Sequence, residues 1–581
     1  MAGAFLAQIA LSAIMPFQVV TRPPEFDCII DEAWFRLLVK RGTPIQISQY
    51  GVILGELFRR DEKVAANEIA SHEWEAIVAT GGRALTEKFW GNYVAFLRRP
   101  VLDGKATIDV VRAPLGQLGC YWCVAKQKLI LASEPELIVQ TGLMRLHIAP
   151  AALTRHIAAP EIALEQTCLA DVRSLTGGSR ISSGSDRPEI DLLWSPWNFC
   201  RDDSTIRNHE IAGARLRRVF TQCIGAQMDA LPKALLLLSG GLDSSILAAC
   251  LHIAGHPFHA LNLVTKAATG DERDYARIAA QATGAKLTEA LRNAGEVDLL
   301  ASRAARCARP HTRAFTQSTR DHAARCAIDH DAGVVLDGGG GDNLFFGYPT
   351  LAALVEILKR RGPGFRFWQT SAALAEQADT GLGSVVMQTI HRAVTRDNRL
   401  RFDQRDQFLS ARSRSALKDA APHPWREPPK HIGAGKAAHV ALLVPVQATA
   451  EQATRACGDA PWFSPFMCQP AVEAVLTIPI WAWFAPGLNR AAARLGFKGD
   501  LPPALIQRRT KGTPNSYVND LFEQHRPAIR AMLLDGLLTA MGVLDADSVR
   551  AALDDPMPAR DLQFARIMEL VDAEAWARSW E

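Results

Sequence analysis

A seven-residue loop carries the side chains best suited to binding phosphate. Residues 239–245 read Ser-Gly-Gly-Leu-Asp-Ser-Ser and directly follow the apolar run 234–238. Gly240 and Gly241 let the backbone approach an anion, and the helix that follows offers unpaired N–H groups and the positive end of its dipole. Phosphate would repel Asp243, whose carboxylate is instead suited to holding Mg²⁺. The loop therefore predicts a site for a polyphosphate with its cation.

Three hydroxyl groups in this loop add hydrogen-bond donors. They belong to Ser239, Ser244 and Ser245. The chain has no GxxxxGK[ST] loop, the other common nucleotide-binding loop. Glycines and serines of this kind are suited to cradle pyrophosphate rather than a transferable γ-phosphate. We therefore expect ATP to be cut between its α and β phosphates, with AMP and pyrophosphate as products.

A second glycine-rich loop follows another apolar run. Residues 336–343 read Leu-Asp-Gly-Gly-Gly-Gly-Asp-Asn. Four successive glycines remove side chains from one wall of a cleft, and Asp342 opens the next helix. Asp342 is predicted to be a second Mg²⁺ ligand opposite Asp243. A flexible turn in which Asp342 only caps the helix is the alternative.

Both loops are predicted to lie at the carboxyl ends of parallel strands, where open α/β sheets bind ligands. Strand candidates are residues 234–238, 258–264, 286–288 and 333–336, and helix candidates are 205–230, 244–253, 271–283 and 313–328. Short apolar strands alternating with helices predict a doubly wound α/β domain. Beyond residue 350 the chain is predicted to be mostly helical.

The N-terminal third has a different pattern. Short β-like runs cover residues 46–58, 93–97, 107–111, 120–124 and 128–132, and turn-formers separate them. This spacing predicts a β-rich layered domain, preceded by a buried strand and turn in residues 1–20. The polar run 201–204 suggests a connection, so we expect domains at 1–203 and 204–581.

Bulk properties exclude several classes of protein. The 65 basic and 61 acidic residues leave a net charge of +4, which gives no reason to expect a nucleic-acid partner. Polar residues interrupt the apolar N-terminus and no basic residue begins it, so it fits neither a signal peptide nor a membrane span. Cys120 and Cys123 form a lone CxxC, and we expect buried structural thiols there. We expect a cytoplasmic protein without membrane contact.

The chain resembles the asparagine synthetase family. The sequences SGGLDSS and LDGGGGDNLFFGY are similar to its two ATP-site motifs. Weaker landmarks of its glutaminase domain are residues 90–96, 112–116 and 132–134, and its closing motifs resemble residues 463–466 and 509–512. The resemblance implies a glutaminase-like α+β sandwich followed by an ATP-pyrophosphatase domain that uses ATP and Mg²⁺.

The same resemblance assigns roles to single residues. It implies that Leu238 and Leu263 flank the adenine, that Gly338 and Gly339 contact the nucleotide, and that Lys511 is the catalytic lysine. An ammonium group suits that role because negative charge develops on the α-phosphate and on the tetrahedral oxyanion.

Two departures from the family pattern bear on the substrate. Working glutaminases of the family place a cysteine directly after the initiator methionine, where this chain has Ala2, so we expect no ammonia from glutamine. Gly339 stands where asparagine synthetases have glutamate and β-lactam synthetases have tyrosine. We expect this glycine to enlarge the pocket and to disfavour free aspartate as substrate.

The features together are similar to those of lasso-peptide cyclases, macrolactam synthetases with a degenerate first domain. That resemblance implies a precursor peptide as substrate, with a leader peptidase and a leader-binding protein as partners. An Asp or Glu side chain would be adenylated, and the peptide's N-terminal amine would close the ring. The alternatives are an amide ligase for a small carboxylate without glutaminase activity, an adenylating enzyme for another carboxylate or a tRNA base, and a degenerate ATP-binding regulator.

Overall fold

Two antiparallel sheets form the N-terminal part of the chain. The structure is a computed structural model and describes residues 3–11, 23–60, 65–102, 105–185, 187–229, 231–265, 270–310, 316–400, 404–417, 423–453, 460–509, 512, 515–555 and 563–581. The strands of the N-terminal part are β1 (Phe5–Ala10), β2 (Phe26–Asp31), β3 (Phe35–Lys40), β4 (Ile45–Ser48), β5 (Gly51–Arg59), β6 (Phe89–Leu102), β7 (Lys105–Arg112), β8 (Tyr121–Ala125), β9 (Lys128–Ala132), β10 (Arg173–Ser174), β11 (Ser179–Ser182) and β12 (Glu189–Leu192).

The two sheets pack face to face over a shared apolar core. Their strand orders are β10-β8-β9-β1-β3-β2 and β12-β11-β7-β6-β5-β4. Phe5 of the first sheet meets Phe96 of the second edge to face, with ring centroids 5.4 Å apart. Phe35 lies 5.9 Å from the same Phe96 ring. Alternate residues of the central strands face this core, such as Phe5, Ala7 and Ile9 of β1 and Phe35, Leu37 and Val39 of β3, as the period of a β-strand requires.

Helices cover the outer faces of both sheets. They are α1 (Ser71–Ala79), α2 (Arg83–Lys88), α3 (Pro135–Val139) and α4 (Pro150–Ala158). Trp74 of α1 packs with Ile53 on the second sheet, and Leu153 of α4 packs with Ile130 on the first. The layers are therefore helix, sheet, sheet and helix, which confirms the predicted α+β sandwich.

Residues 46–58, predicted as one β-like run, lie in the hairpin of β4 and β5. Ser48 pairs with Gly51 at its tip. Gly51 has a φ of +147°, and a Cβ there would lie 2.1 Å from the carbonyl oxygen of Phe96. The run is therefore β-structure, and a turn without an Asn-Gly or Asp-Gly signal divides it into two strands.

A parallel sheet forms the centre of the C-terminal part. Its strands are β13 (Ala234–Leu237), β14 (Phe258–Val264), β15 (Lys286–Leu291), β16 (Val334–Leu336) and β17 (Trp462–Phe463), in the order β15-β14-β13-β16-β17. Every neighbouring pair in it is parallel. The sequence analysis missed β17, which is separated from β16 by a long helical segment.

Helices pack on both faces of this sheet, which confirms the doubly wound α/β domain. They are α5 (His209–Asp229), α6 (Leu242–Ile253), α7 (Arg273–Thr283) and α8 (Gln317–Asp329). Side chains of α5 and α6 share a core cluster with Leu236, whereas α8 covers Leu235 on the opposite face. The start of α5 lies four residues later than predicted because the Asn208 side chain accepts a hydrogen bond from the Ile211 N–H at 2.9 Å. The predicted start of α8 falls partly on residues 311–315, outside the described residues.

The remaining elements are mostly helical, as predicted. They are α9 (Gly341–Leu344), α10 (Leu351–Arg361), α11 (Phe365–Gln377), α12 (Leu382–Thr395), α13 (Ala411–Ala416), α14 (Ala434–Ala453), α15 (Gln469–Thr477), β18 (Phe484–Ala485), β19 (Leu488–Asn489), α16 (Ala491–Gly496), α17 (Pro503–Ile506), α18 (Asn515–Leu534), α19 (Leu537–Ala540), α20 (Ala546–Asp554) and α21 (Gln563–Arg578). None of the helices in the described part of the chain combines the length and the apolarity that crossing a membrane requires.

The CxxC cysteines are buried on different sides of the first sheet. Cys120 packs between the two sheets, and Cys123 packs under α3 and α4. Burial raises the pKa of the Cys123 thiol to about 12. Neither is part of a disulfide among the described residues, and both lie in the core.

Candidate functional site

The first glycine loop joins β13 to α6. Gly240 has a φ of +71°, and a Cβ there would lie 2.4 Å from the backbone carbon of Tyr275, so glycine alone fits. The Ser239 hydroxyl accepts a hydrogen bond from the Gly241 N–H at 3.2 Å and lies 3.2 Å from the Ser244 hydroxyl. The loop thus places two hydroxyl groups at the N-terminus of α6, where the helix has unpaired N–H groups.

Glycines of the second loop allow the two loops to touch. A Cβ on Gly338 would lie 2.9 Å from the Ser244 nitrogen. A Cβ on Gly341 would lie 2.4 Å from Cγ of Asp243. Without side chains, these glycines form a wall of backbone against which the first loop, including the Asp243 side chain, packs directly.

A single arginine brings the two predicted metal ligands together. Nη1 of Arg490 lies 3.1 Å from Oδ1 of Asp243 and 2.5 Å from Oδ1 of Asp342. Both carboxylates therefore meet at one nitrogen atom, across the gap between the two loops. Arg490 is buried and has a φ of +53°, an uncommon conformation for a residue with a side chain. A cation held by the Asp243 and Asp342 carboxylates would have to share them with, or displace, this guanidinium group.

Sequence reasoning missed Arg490. It lies just before α16, more than a hundred residues from either aspartate, and no motif surrounds it. Its positive φ is the one local oddity, and that is visible only in the structure.

Asp337 ties the second loop to β17. Its Oδ1 accepts hydrogen bonds from the Gly339 N–H at 2.9 Å and from the Ser464 hydroxyl. Its Oδ2 accepts one from Nε1 of Trp462 at 2.5 Å. These hydrogen bonds of Asp337 therefore fix the second loop to β17.

The surroundings of Gly339 do not fit the expected enlarged pocket. A Cβ at this position would lie 2.8 Å from Oδ1 of Asp337 and 2.9 Å from Oγ of Ser464. These two side chains fill the space next to the glycine. The expectation of an enlarged pocket was therefore wrong for the space next to Gly339. The Ser464 hydroxyl donates to Asp337 and so lies across the loop at this point.

The remaining predicted nucleotide residues are spread around the loops. Leu238 packs in the cluster on the α6 face, whereas Leu263 packs against the cluster under α8 on the other face. The edge of the sheet therefore runs between them. Ser245 is fully buried, and its hydroxyl has no hydrogen-bond partner among the described residues. Their roles in binding nucleotide stay predictions.

One carboxylate anchors the closing motif beside the first loop. Oε1 of Glu272 accepts a hydrogen bond from Nη2 of Arg508 at 2.5 Å and from the Gly512 N–H at 3.0 Å. Arg508 also donates to the Gly240 carbonyl at 3.0 Å and stacks 3.8 Å from the centre of the Tyr275 ring. Lys511 lies outside the described residues, but residues on both sides of it contact Glu272.

A cavity of about 450 Å³ lies next to the second loop. Its lining residues are Tyr348, Thr350, Val355, Arg392, Arg396, Asp397, Asn398, Arg399, Leu400, Ala434, Ala437, Ala438, Ala441 and Leu442. Nδ2 of Asn343 donates to the Leu442 carbonyl at 2.7 Å, which joins the loop to the cavity wall. Three arginines and one aspartate give the lining a positive balance, so the cavity suits a ligand with a carboxylate.

Burial shapes the protonation of groups behind the site. Burial and the neighbouring charge of Arg490 lower the pKa of Arg494 to about 10, which leaves it charged at neutral pH. Burial lowers the pKa of His439 to about 3, so this imidazole is neutral. His439 Nε2 is 2.9 Å from the Leu344 carbonyl, and this contact joins α14 to α9.

Two glycine loops with convergent carboxylates at the ends of parallel strands define a nucleotide-binding α/β domain. The profile of the asparagine synthase family matches residues 215–578, and the chain belongs to that family. This membership identifies an ATP-dependent amide ligase of the asparagine synthetase superfamily. Curated proteins give no match.

Two solved structures are similar over part of the chain. The allosteric regulatory enzyme of purine biosynthesis is 10% identical, with a TM-score of 0.20, over 50% of this chain and 74% of that one. A glutamine phosphoribosylpyrophosphate amidotransferase from B. subtilis, complexed with ADP and GMP, is 11% identical, with a TM-score of 0.18, over 45% of this chain and 59% of that one. At these TM-scores neither adds to the argument from the fold.

The residues present fit ATP with Mg²⁺. The Ser245 hydroxyl is buried and unpaired among the described residues, at the start of α6 beside the other loop hydroxyls. Asp243 and Asp342 offer oxygen ligands of the kind that Mg²⁺ requires.

Proposed function

We propose that this chain is an ATP-dependent macrolactam synthetase that closes an isopeptide ring in a precursor peptide. The observation that carries the proposal is the meeting of Asp243 and Asp342 at Arg490, beside a cavity lined by arginines. The paired acids support adenylation, and the cavity supports a carboxylate-bearing substrate larger than an amino acid.

In the first step a side-chain carboxylate of the peptide attacks the α-phosphorus of ATP. The bond from the α-phosphorus to the bridging oxygen breaks, and pyrophosphate leaves with that oxygen. Ser239, Ser244 and the N–H groups at the start of α6 would hold the pyrophosphate. Bound at Asp243 and Asp342, Mg²⁺ would supply positive charge to the phosphate oxygens.

In the second step the N-terminal amine of the peptide attacks the acyl carbon of the adenylate. AMP leaves with the carboxyl oxygen, the amine loses a proton to solvent, and an amide remains. An α-amine has a pKa near ~8 and is partly unprotonated at neutral pH, so a strong base is less necessary. The Lys511 ammonium would stabilise the negative charge of the transition state, in keeping with its neighbours' contacts to Glu272.

The cavity supports a peptide substrate. Its volume of about 450 Å³ falls within the range of roughly 300–1,000 Å³ that binds drug-sized ligands. Arg392, Arg396 and Arg399 would attract the acidic side chain and guide it towards the second loop. Holding both ends of one peptide there would supply proximity for ring closure.

We also propose a leader peptidase and a leader-binding protein as partners, action in the cytoplasm, and no role for nucleic acid or membrane. These proposals follow from the peptide substrate.

Two measurements test the function. Chromatography of nucleotides after turnover should give AMP and pyrophosphate, and stoichiometric ADP would contradict adenylation. Mass spectrometry of candidate precursor peptides should show the loss of one water. AMP formation with a small acid, combined with no water loss from any candidate peptide, would favour the general amide ligase. No nucleotide cleavage with either substrate would favour the regulator. Glutamine should not be hydrolysed.

A further inference from the structure

A cluster of metal-ligating side chains lies on the sheet away from the glycine loops. It consists of His259 on β14 together with Cys326 and His330 at the end of α8, and we refer to it as the His-Cys-His cluster. One nitrogen or sulfur atom from each residue lies within 4.8 Å of the other two. The proposed adenylation uses none of these residues.

The geometry follows from the secondary structure. Cys326 and His330 are four residues apart, so the helical turn places them on one face of α8. His259 is the second residue of β14, and its side chain projects to the face that α8 covers. His259 and Cys326 are buried, and His330 is partly exposed, so the cluster sits at the rim of the core with access from solvent.

One hydroxyl group occupies the middle of the cluster. Oγ1 of Thr288 lies 2.8 Å from Nε2 of His259 and 3.4 Å from Nε2 of His330. The Cys326 thiol also makes a side-chain hydrogen bond with Thr288. A hydroxyl has one proton to donate and cannot satisfy three such groups by donation. The two imidazole rings stack with centroids 3.6 Å apart, and both Nε2 atoms lie near the same Thr288 hydroxyl.

We propose that the His-Cys-His cluster binds one Zn²⁺ ion, with Thr288 or a water molecule completing four-coordination. Two imidazole nitrogens and one thiolate form a ligand set that Zn²⁺ commonly takes. Bond lengths of about 2.0–2.3 Å place the donor atoms of a tetrahedral site roughly 3.3–3.8 Å apart, so the donor atoms must approach by about 1 Å. Because an imidazole binds a metal in the plane of its ring, one of the two stacked rings must also turn, and the partly exposed His330 is the one with room to do so. Binding releases the thiol proton to solvent and leaves the thiolate on the metal.

The ion would fasten α8 to β14 and β15. The chain runs from α8 through His330 directly to β16, whose carboxyl end carries the second glycine loop. A metal at this point therefore holds the base of the sheet and takes no part in the reaction at the opposite edge.

The test uses the full chain after removal of metal by a chelator. Cobalt titration should give one tetrahedral Co²⁺ per chain with a sulfur-to-cobalt charge-transfer band, and Zn²⁺ should displace it. Zn²⁺ should also raise the thermal midpoint of the wild type. C326S should lose the charge-transfer band, and both H259A and H330A should bind Zn²⁺ at least 100-fold more weakly. Because His330 is partly exposed, H330A should fold, and it tests the site even if H259A does not fold.

The control variants remove one cysteine and one histidine that lie outside the cluster. The exposed residues Cys28 and His252 lie outside the cluster, so C28S and H252A should bind metal as the wild type does. D243N removes a predicted Mg²⁺ ligand and none of the donors of the cluster, so it should leave the charge-transfer band unchanged. The proposal is overturned if the wild type shows no charge-transfer band, or if C326S keeps it.

Discussion

At the scale of single residues, the site depends on charges that meet across long sequence distances. Asp243, Asp342 and Arg490 come from three separate segments and converge on one nitrogen atom. Near the closing motif, Arg508 and the Gly512 N–H likewise donate to one oxygen atom of Glu272. Such convergence would let the proposed phosphate-binding loop, Mg²⁺ ligands and catalytic lysine act on one nucleotide.

Lys511→Ala should slow the reaction with little effect on ATP binding. Its ammonium should meet charge that develops mainly in the transition states, and losing one such contact typically costs about 10²–10³ in rate. Single-turnover ring closure and ATP calorimetry measure the two effects. Asp243→Ala should instead weaken ATP binding itself, because it removes a Mg²⁺ ligand.

The matched control for Lys511 is Arg509→Ala. Arg509 lies in the same motif, is exposed and pairs with Glu376 at 3.0 Å. Its loss should leave the rate within about twofold, since exposed ion pairs contribute little. Equal rates for Lys511→Ala and the wild type would remove the lysine from the mechanism.

The sequence predicted the acids of the site because each is local to its loop. A strand, glycines and an aspartate in immediate succession identify Asp243 and Asp342 without knowledge of the fold. Arg490 could not be found in this way, because its role comes from tertiary packing of a short hairpin and α16. The crowding at Gly339 was equally hidden, since it depends on Ser464, which follows the distant strand β17.

At the scale of elements, close packing of glycine backbones fixes the distance between the two loops. Gly341→Ala should displace the Asp243 side chain, because the added Cβ would lie 2.4 Å from its Cγ. We expect at least a tenfold loss of Mg²⁺-dependent ATP affinity with the fold retained. Calorimetry and circular dichroism measure these effects.

Gly383→Ala is the control for Gly341→Ala. It lies in α12, and a Cβ there meets nothing within 4 Å. This change should leave ATP affinity unaltered and slightly favour the helix. Wild-type affinity in Gly341→Ala would mean that Asp243 does not depend on this wall.

The contact between α14 and α9 should make stability sensitive to acid. Burial lowers the pKa of His439 to about 3, whereas in the unfolded chain the pKa of this imidazole is near its ordinary value of 6.5. Between these two pH values the unfolded state binds the extra proton, so stability falls as pH falls. One such group contributes a slope of at most about 1.4 kcal/mol per pH unit.

His439→Gln should reduce that slope, although removing the buried ring lowers stability at pH 7. Denaturation followed at several pH values between 7 and 5 measures both effects. The exposed His252 gives the control variant, His252→Gln, which should keep the wild-type slope. An unchanged slope in His439→Gln would show that His439 does not cause the acid sensitivity.

The elements were predictable in proportion to their length and periodicity. The apolar runs of β13 and β14 and the helices between them follow from pattern alone. β17 has two residues, Trp462 and Phe463, and such a short strand forms only because β16 is there to pair with it. Helix starts shifted where a capping side chain, such as Asn208, decided the boundary.

At the scale of the whole molecule, one buried glutamate joins the sandwich to the ATP-binding part. Glu473 of α15 accepts hydrogen bonds from Arg60 at 2.5 and 2.9 Å and from Nε1 of Trp194 at 2.8 Å. Gln469 holds the same carboxylate at 2.9 Å. The layered fold of each part could be predicted from strand patterns, but this junction could not, because its members are hundreds of residues apart.

Glu473→Ala should destabilise this junction by up to about 3 kcal/mol, because it leaves Arg60 and Trp194 without their acceptor. Calorimetry should show that the variant unfolds in two separate transitions, at a lower temperature than the wild type. Glu210→Ala is the control, because Glu210 is exposed and pairs with Lys498 at 3.0 Å. If Glu473→Ala and Glu210→Ala unfold at the same temperature, Glu473 does not hold the junction together.

The hydrogen bond from Asn343 to the Leu442 carbonyl has a consequence for binding. It connects the segment after Asp342 to a helix that lines the arginine cavity, at 2.7 Å. If the proposed peptide shifts this helix and with it the second loop, it would change the affinity for ATP, and ATP would change the affinity for the peptide by the same factor. The two proposed substrates would then bind in one linked equilibrium, each altering the occupancy of the other's site.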